Sequence, residues 1–257
     1  MLTIAGSDNS CGAGAQADLK TITLLGGYAQ TAITCVVAEV PGRVSAIQAI
    51  RPAIVAEQIR LSFEAFPVAA IKTGMLYSTS LIRAVATELS ALKKCPPLVV
   101  DPVMVASSGD PLLKASAIEA YRKWIFPLAT LVTPNLDELR ILSGMPCRDV
   151  EEIKLAGASL VDRHGCAFLL KGGHLRTKTA TDILATSNGF EVFTAPFRRN
   201  IDAHGTGCTF SAAIATGLAC GQTLSEAVGN AKNYITLAIE NALRWKKTTA
   251  LDHQLAS

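Results

Sequence analysis

The sequence has few of the features of zinc-binding, disulfide-rich or membrane-spanning proteins. Its seven cysteines are an odd number and none form a C-x-x-C pair, which disfavours structural zinc sites and a disulfide framework. A reducing compartment suits such a set of cysteines, so we expect the protein in the cytoplasm. No apolar stretch reaches the roughly 18 to 20 residues that a spanning helix needs. The chain begins on a strand-like segment, Leu2-Thr3-Ile4-Ala5, without the pattern of a signal peptide.

The charge of the chain is low and evenly spread. Lysine and arginine number 24 against 21 aspartate and glutamate, and no run of basic residues is longer than two. A nucleic-acid partner is disfavoured, because its footprint would be a cluster of basic residues. Hydrophobic residues make up 49% and charged residues 18%, which supports a sizeable buried core. Since no linker or repeat is visible, we predict one domain at 1–245 and a polar tail at 246–257.

Short apolar runs alternate with helical patterns along most of the chain. The strand-like runs lie at 2–5, 32–38, 69–72, 98–100, 130–132 and 167–170. Helices are predicted at 16–25, 52–65, 79–93, 116–126, 149–164, 206–219 and 223–244, with another beginning near 135. Two further runs, 182–186 and 190–195, flank the hairpin signal Asn188-Gly189. This alternation predicts an α/β fold with a mostly parallel central sheet covered by helices on both faces.

Polar and glycine-rich clusters follow the predicted strands. In a sheet of this kind ligands bind at the carboxyl ends of the strands, so these clusters should share one rim. They are Gly6-Ser7-Asp8, Glu39, Lys72-Thr73-Gly74-Met75, Asp101-Pro102-Val103, Thr133-Pro134-Asn135 and Lys171-Gly172-Gly173-His174. We therefore predict the ligand site at this rim.

The segment His204-Gly205-Thr206-Gly207-Cys208-Thr209 leads directly into a predicted helix. Backbone N–H groups at a helix N-terminus that follows glycines form an anion site. The helix dipole would lower the pKa of Cys208, whose thiolate could then take a proton from a substrate hydroxyl. The alternative is that the glycines form a tight turn and that Cys208 fills a small space in the core.

Four more residues on the rim each admit two interpretations. Asn135 and Glu138 have the spacing of a helix-capping box, but they could instead face phosphates and Mg²⁺. Lys171 ends a buried strand and could meet a phosphate, although a lysine in such a place is commonly solvated. Glu39 ends an apolar strand, where a carboxylate is usually solvated, yet it belongs to the predicted ligand rim.

Taken in order, these motifs resemble the hydroxymethylpyrimidine kinase/phosphomethylpyrimidine kinase group of the ribokinase-like superfamily. The matching strings lie at 2–8, 12–14, 16–20, 72–76, 101–104, 108–113, 133–136, 171–174 and 204–209. The resemblance implies a ribokinase-like fold and two successive ATP-dependent phosphorylations in thiamine diphosphate synthesis. The first converts 4-amino-5-hydroxymethyl-2-methylpyrimidine to its monophosphate, and the second yields the diphosphate. Such enzymes use Mg²⁺ with ATP and often form homodimers.

The resemblance also implies a role for individual residues of this chain. Cys208 takes the place of the base, and Gly205, Thr206 and Gly207 form its anion hole. The remaining implied contacts are Asn135 and Lys171 with ATP, Asn135 and Glu138 with the metal, and Gly6, Asp18, Met75 and Val103 with the pyrimidine.

Two positions depart from the family pattern. Cys11 interrupts the glycine-rich first loop, and Glu39 stands where the family commonly has a glutamine that pairs with the aminopyrimidine. A carboxylate can accept from the 4-amino group, but it pairs with a ring nitrogen only if that nitrogen is protonated. A pyridoxal/pyridoxine kinase is therefore the alternative of the same class. A non-catalytic pyrimidine- or nucleotide-binding protein and a nicotinamide-dependent oxidoreductase are alternatives of other classes, although the chain has no G-x-G-x-x-G fingerprint.

Overall fold

A mixed sheet runs through the parts of the chain that the computed structural model describes, which are residues 1–104, 115–172, 179–198, 204–246 and 248–254. Its nine strands are β1 (Leu2–Asp8), β2 (Gln30–Val40), β3 (Arg43–Ala49), β4 (Ile71–Thr73), β5 (Leu98–Val100), β6 (Leu131–Val132), β7 (Ala167–Lys171), β8 (Thr179–Thr186) and β9 (Gly189–Pro196). The motif at 108–113 and the pair Gly173-His174 lie outside the described residues.

The strand order is β3-β2-β1-β4-β5-β6-β7-β8-β9. Strands β2, β1, β4, β5, β6 and β7 are parallel to one another. Strands β3, β8 and β9 pair antiparallel at the two edges. The parallel strands all end on the same side, so the residues that follow them lie along one rim, as the sequence predicts.

Helices cover both faces of the sheet. They are α1 (Gly14–Leu24), α2 (Pro52–Ala65), α3 (Thr79–Ser90), α4 (Ala115–Ala120), α5 (Leu136–Ser143), α6 (Val150–His164), α7 (Thr206–Ala219) and α8 (Leu224–Glu240). One apolar cluster joins α2–α6 to the sheet and a second joins α1, α7 and α8 to the opposite face. Strand β5 serves both, because Leu98 and Val100 belong to the first cluster and Val99 to the second. The predicted fold class is confirmed, and no described helix is long and apolar enough to cross a membrane.

Helix ends follow local capping signals. The Ser78 side chain accepts from the Leu81 N–H at the start of α3, and Thr223 forms a capping box with Glu226 at the start of α8. Gly165 ends α6 in the left-handed conformation, with φ of 69°. The predicted helix at 116–126 is divided, because α4 passes into a π-helical turn at Tyr121–Ile125 and a short 3₁₀ turn.

Part of the segment predicted as a polar tail is paired and buried. Strand β10 (Leu243–Trp245) pairs with β11 (Thr248–Ala250), and the chain then returns to the body of the protein. Leu251 and His253 are only 4% and 5% exposed, and Leu251 joins the cluster around α7 and α8. Two buried side chains thus anchor this short segment to the body of the protein.

Candidate active site

A cavity of about 630 Å³ extends along the carboxyl ends of the parallel strands. Towards the edge formed by β2 and β3 it is lined by Gly6, Val37, Glu39, Val44, Ile47 and Met75. Its middle is lined by Asp101, Val103, Asn135, Glu138, Lys171 and the segment 205–208. At the β8–β9 edge it is lined by Asp182, Pro196, Phe197, Lys232, Ile235 and Ile239. The lining of the cavity therefore includes residues from both edges of the sheet and from the ends of the strands between them.

The middle of the cavity is the N-terminus of helix α7. Gly205 precedes it with φ of 83°, and an added methyl group there would lie 1.7 Å from the Gly12 carbonyl oxygen. Only glycine fits this position, because both the backbone conformation and the space exclude a side chain. The N–H groups of Thr206, Gly207 and Cys208 are the first of the helix and point out of its N-terminus. The anion site that the sequence predicts thus falls at the N-terminus of a helix, and it stays a prediction.

Cys208 is half-buried beside this terminus, with the N–H of Gly14 facing its sulfur. Burial raises the pKa of its thiol to about 11, even though the nearby ammonium of Lys72 opposes the rise. The prediction that the helix terminus lowers this pKa is therefore wrong. A helix terminus typically contributes about 1 kcal/mol, which is less than the cost of desolvating a thiolate here.

Lys171 lies over the first turn of α7. Its Nζ is 3.1 Å from Oδ1 of Asp101, and an added methyl group on Gly207 would lie 3.2 Å from that Nζ. Burial lowers the pKa of Lys171, but the negative charges of Asp101 and Glu138 raise it by more. The net pKa is therefore above its usual value, and the ammonium stays charged. Asp101 was placed on the ligand rim from the sequence but was assigned no individual role there, although it directly follows the buried strand β5.

Asn135 and Glu138 form the capping box of α5 and also line the cavity. The Oδ1 atom of Asn135 accepts from the N–H groups of Asp137 and Glu138 at 3.0 and 2.9 Å, so both of its lone pairs are engaged. Each oxygen of Glu138 accepts one backbone N–H, from Met104 and from Asn135, and within the described residues one lone pair of each oxygen is left over. Burial, together with Asp101, raises the pKa of Glu138 although Lys171 opposes this. Glu138 therefore fits a hard divalent cation, and Asn135 does not fit as a metal ligand.

Three of the predicted pyrimidine contacts line the same cavity as Glu39. These are Gly6, Met75 and Val103, all lining the cavity. A methyl group added to Gly6 would lie 2.9 Å from the Cys35 sulfur, so this wall has no room for a side chain. Val103 has φ of 33°, a strained conformation for a β-branched residue, which turns the chain into the cavity after β5.

The fourth predicted contact, Asp18, is not a wall of the cavity. Its side chain is fully buried, and both of its oxygens accept from Lys72 Nζ at 2.9 and 2.8 Å. The hydroxyl of Thr3 donates to the same carboxylate at 2.5 Å. We correct the prediction accordingly, because these partners hold Asp18 behind the cavity wall.

A cluster of charged side chains beside Glu39 was missed from the sequence. Asp8, Glu39 and His204 place one ligand atom each within 4.8 Å of the others. Burial raises the pKa of Asp8, but hydrogen bonds from His204, Ala13 and Ser10 outweigh it and hold this pKa at about 2. Burial, and then the negative charge of Asp8, raises the pKa of Glu39. Glu39 thus keeps its proton at a higher pH than an ordinary carboxyl group.

The β8–β9 edge holds a second feature that the sequence did not reveal. Lys232 and Asp182 form a buried pair at 2.6 Å, and Asp182 also accepts from the N–H of Gly172. Apolar residues of β9 and α8 line the same cavity as this pair. This end of the cavity thus offers an apolar slot with one fixed charge pair.

Comparison with known proteins identifies the family. The model of the family described as phosphomethylpyrimidine kinase matches residues 8–251. The thiamine biosynthesis bifunctional protein of Geobacter sulfurreducens is 45% identical over 94% of this chain, which spans about half (49%) of that protein's length. The hydroxymethylpyrimidine/phosphomethylpyrimidine kinase of Mycobacterium leprae is 42% identical over 94% of this chain and 88% of its own.

Solved structures agree with the sequence comparisons. Pyridoxal kinase from Staphylococcus aureus, in complex with AMP-PCP and pyridoxal, has a TM-score of 0.90 at 33% identity, covering 99% of this chain and 93% of its own. Phosphomethylpyrimidine kinase from Clostridium difficile has a TM-score of 0.82 at 40% identity, covering 93% and 98%. The resemblance and the ribokinase-like fold are thus confirmed, and the chain belongs to the phosphomethylpyrimidine kinase family.

Proposed function

We propose that this chain phosphorylates 4-amino-5-hydroxymethyl-2-methylpyrimidine and then its monophosphate, with ATP as the phosphate donor in both steps. The observation that carries the proposal is the placement of Cys208 and the N-terminus of α7 at the middle of one long cavity. A pyrimidine at the β2–β3 edge and a nucleotide at the β8–β9 edge would bring hydroxyl and γ-phosphate together there. The curated relatives that match most of the chain carry this activity in their names.

The first transfer needs an anion site and a proton acceptor. The substrate hydroxyl oxygen forms a bond to the γ-phosphorus while the bond from that phosphorus to the β–γ bridging oxygen breaks, and ADP leaves. The hydroxyl proton passes to Cys208 Sγ, which must therefore have lost its own proton to solvent beforehand. The N–H groups of 206–208 and the ammonium of Lys171 neutralise the charge on the transferred group. In the second step the nucleophile is already an anionic phosphate and needs no base.

ATP and its metal find fitting groups in the middle of the cavity. Glu138 would hold Mg²⁺, directly or through water, because each of its oxygens keeps a free lone pair. The metal would neutralise charge on the phosphates of ATP. Asn135 has its amide N–H₂ left to donate to a phosphate, which supports its role with ATP but not with the metal.

A pyridoxal kinase is the second candidate, because the structure with the TM-score of 0.90 is a pyridoxal kinase. ATP-dependent formation of phosphate esters, followed by mass spectrometry on both substrates, tests the proposal. We expect kcat/KM for the hydroxymethylpyrimidine to exceed that for pyridoxal, and a diphosphate product from the pyrimidine only. A higher kcat/KM for pyridoxal, with no diphosphate from the pyrimidine, would replace our proposal by the second candidate.

The proposal extends to the compartment and the oligomeric state of the enzyme. We place it in the cytoplasm because ATP is its donor and all seven cysteines are free. The homodimer that the resemblance implies stays a prediction, which light scattering in solution would test.

A further inference from the structure

Lys72 is a fully buried lysine in the middle of the sheet. It belongs to β4, and its side chain and that of its partner Asp18 are both 0% exposed. Burying two charges costs several kcal/mol per ion, and replacing such a pair by apolar residues of similar volume is often neutral or stabilising. The stability of the fold therefore gives no sufficient reason for the pair. Buried titratable groups next to a cavity are candidates for a functional role.

The pair lies directly behind the wall that carries Cys208. Asp18 follows Gly14 by four residues on α1, so both are on the same face of that helix. The N–H of Gly14 faces the Cys208 sulfur. On the other side, a methyl group added to Gly74 would lie 2.9 Å from Lys72 Nζ, so the ammonium is closely enclosed.

Charges from four elements act on the Cys208 thiol. Lys72 of β4 is the strongest of them and favours the thiolate, whereas Asp18 of α1 and Asp101 of β5 oppose it. Lys171 of β7 also interacts with Cys208. The same arrangement is seen in the backbone, because a methyl group added to Gly205 would meet Gly12 and Ala13, so the start of α1, which carries Asp18 one turn further on, lies against the start of α7, which carries Cys208.

We propose that Lys72 is a positioning residue for phosphoryl transfer, whose ammonium, oriented by Asp18, stabilises the negative charge on Cys208 Sγ. The inference rests on the proposed function, in which Cys208 accepts the proton of the substrate hydroxyl. Lys72 keeps its own proton throughout. The thiol first releases its proton to solvent, the ammonium stabilises the resulting thiolate, and the hydroxyl proton then restores the thiol as the phosphate ester forms.

The test measures ionisation of Cys208 without any substrate. Alkylation of Cys208 by iodoacetamide is followed from pH 7 to 10, with peptide mass spectrometry to separate it from the other cysteines. At a pH below the thiol pKa, we expect Lys72→Met to slow alkylation about tenfold, the change that one pKa unit produces. Asp18→Asn should speed it, because a negative charge is removed, and Lys72→Arg should stay near the wild-type rate. Shifts of opposite sign are not expected if the pair is only structural.

A double variant keeps the test decisive where a single change prevents folding. Lys72→Met/Asp18→Asn leaves no unpaired charge, and it should still slow alkylation because the ammonium is the stronger of the two charges. The matched control is Lys232→Met/Asp182→Asn, which removes a second buried ion pair. Neither residue is among the groups that act most strongly on the Cys208 thiol, so the rate of Cys208 alkylation should stay unchanged.

Activity provides a second readout. The kcat of the first phosphorylation should fall in Lys72→Met while KM for ATP stays within about twofold, and the second phosphorylation should lose less, since its nucleophile is already anionic. An unchanged alkylation rate in a folded double variant, or an equal change in the control, overturns the inference. Because alkylation needs no substrate, its rate would still report the effect of Lys72 on Cys208 if the proposed function were wrong.

Discussion

Replacing Glu39 by glutamine should change how substrate affinity depends on pH. Glu39 lines the cavity, and burial together with Asp8 raises its pKa. In the complex, Glu39 and the ring nitrogen of the aminopyrimidine would share one proton, while the 4-amino group donates to the other oxygen. It does not matter for the proton count whether that proton sits on the carboxyl oxygen or on the nitrogen. A glutamine presents the same donor and acceptor with no titrating proton.

The size of the effect follows from this count. Above the pKa values of both free partners, binding to the wild type must take up one proton, so the affinity falls about tenfold for each pH unit, or about 1.4 kcal/mol. Glu39→Gln takes up none, so its affinity should be level over the same range. The ratio of the two affinities should therefore change about 100-fold over two pH units.

Isothermal titration calorimetry provides the assay. Binding of 4-amino-5-hydroxymethyl-2-methylpyrimidine is measured between pH 6 and 9 in buffers of different ionisation enthalpy, which gives the number of protons taken up. We expect that number to approach one in the wild type at the alkaline end and to stay near zero in Glu39→Gln. Binding of ATP at the other end of the cavity serves as the control and should be alike in both proteins. Equal proton uptake in the two proteins would show that Glu39 does not meet the substrate.

Four further predictions test other parts of the site. Cys208→Ala should slow phosphorylation of the free alcohol by about 10²- to 10⁴-fold, with less loss in the second step and unchanged ATP binding by calorimetry; full activity on the alcohol would remove Cys208 as the base. Glu138→Gln should raise the Mg²⁺ concentration needed for half-maximal rate. If Glu138 were only a cap, the substitution would instead lower the free energy of unfolding, followed by thermal melting, by on the order of 1 kcal/mol and leave the Mg²⁺ titration unaltered. Gly205→Ala should slow both steps alike, because the added methyl group would lie 1.7 Å from the Gly12 oxygen and displace the anion site; steady-state rates for both substrates check this. Burial lowers the pKa of His253 from 6.5 to about 4, so the fold holds the neutral ring, and stability should fall as the pH drops from 6.5 towards 4, by up to about 3 kcal/mol. Urea unfolding at pH 7 and 5 should show that His253→Gln lacks this part of the loss, and an equal loss in both proteins would contradict the assignment.

The parallel strands could be predicted because they are buried on both faces. Strand β5 is three consecutive apolar residues, Leu98–Val100, each 0% exposed. Strand β3, Arg43–Ala49, was missed for the opposite reason. It lies at the edge of the sheet, pairs only with β2 and has no fully buried residue, so no apolar run marks it. The turn Pro41-Gly42 was the only local signal of that hairpin.

Residues of the site could be predicted where a local backbone requirement marks them. Gly205 and the helix that follows it need no distant partner to be recognised as an anion site. The pairing of Asp8 with His204 joins residues 196 positions apart, and that of Asp18 with Lys72 joins residues 54 apart. Asp18 was assigned to the substrate from the family resemblance, and no local pattern around it marks the lysine that faces it. The pKa of Cys208 was misjudged for the same reason, since burial is a property of the packed protein.

Asn135 and Glu138 show that holding a helix and facing a ligand are not exclusive roles. A capping box places a carboxylate and an amide at the N-terminus of a helix, and in this sheet that terminus points towards the rim where ligands bind. The backbone bonds then fix both side chains before any ligand arrives, so little side-chain freedom remains to be lost when ATP and its metal bind. The two interpretations of these residues from the sequence are therefore compatible. The hydrogen bonds to backbone N–H groups determine which lone pairs can still bind a ligand. Among the described residues, one lone pair remains on each oxygen of Glu138 and none on the oxygen of Asn135.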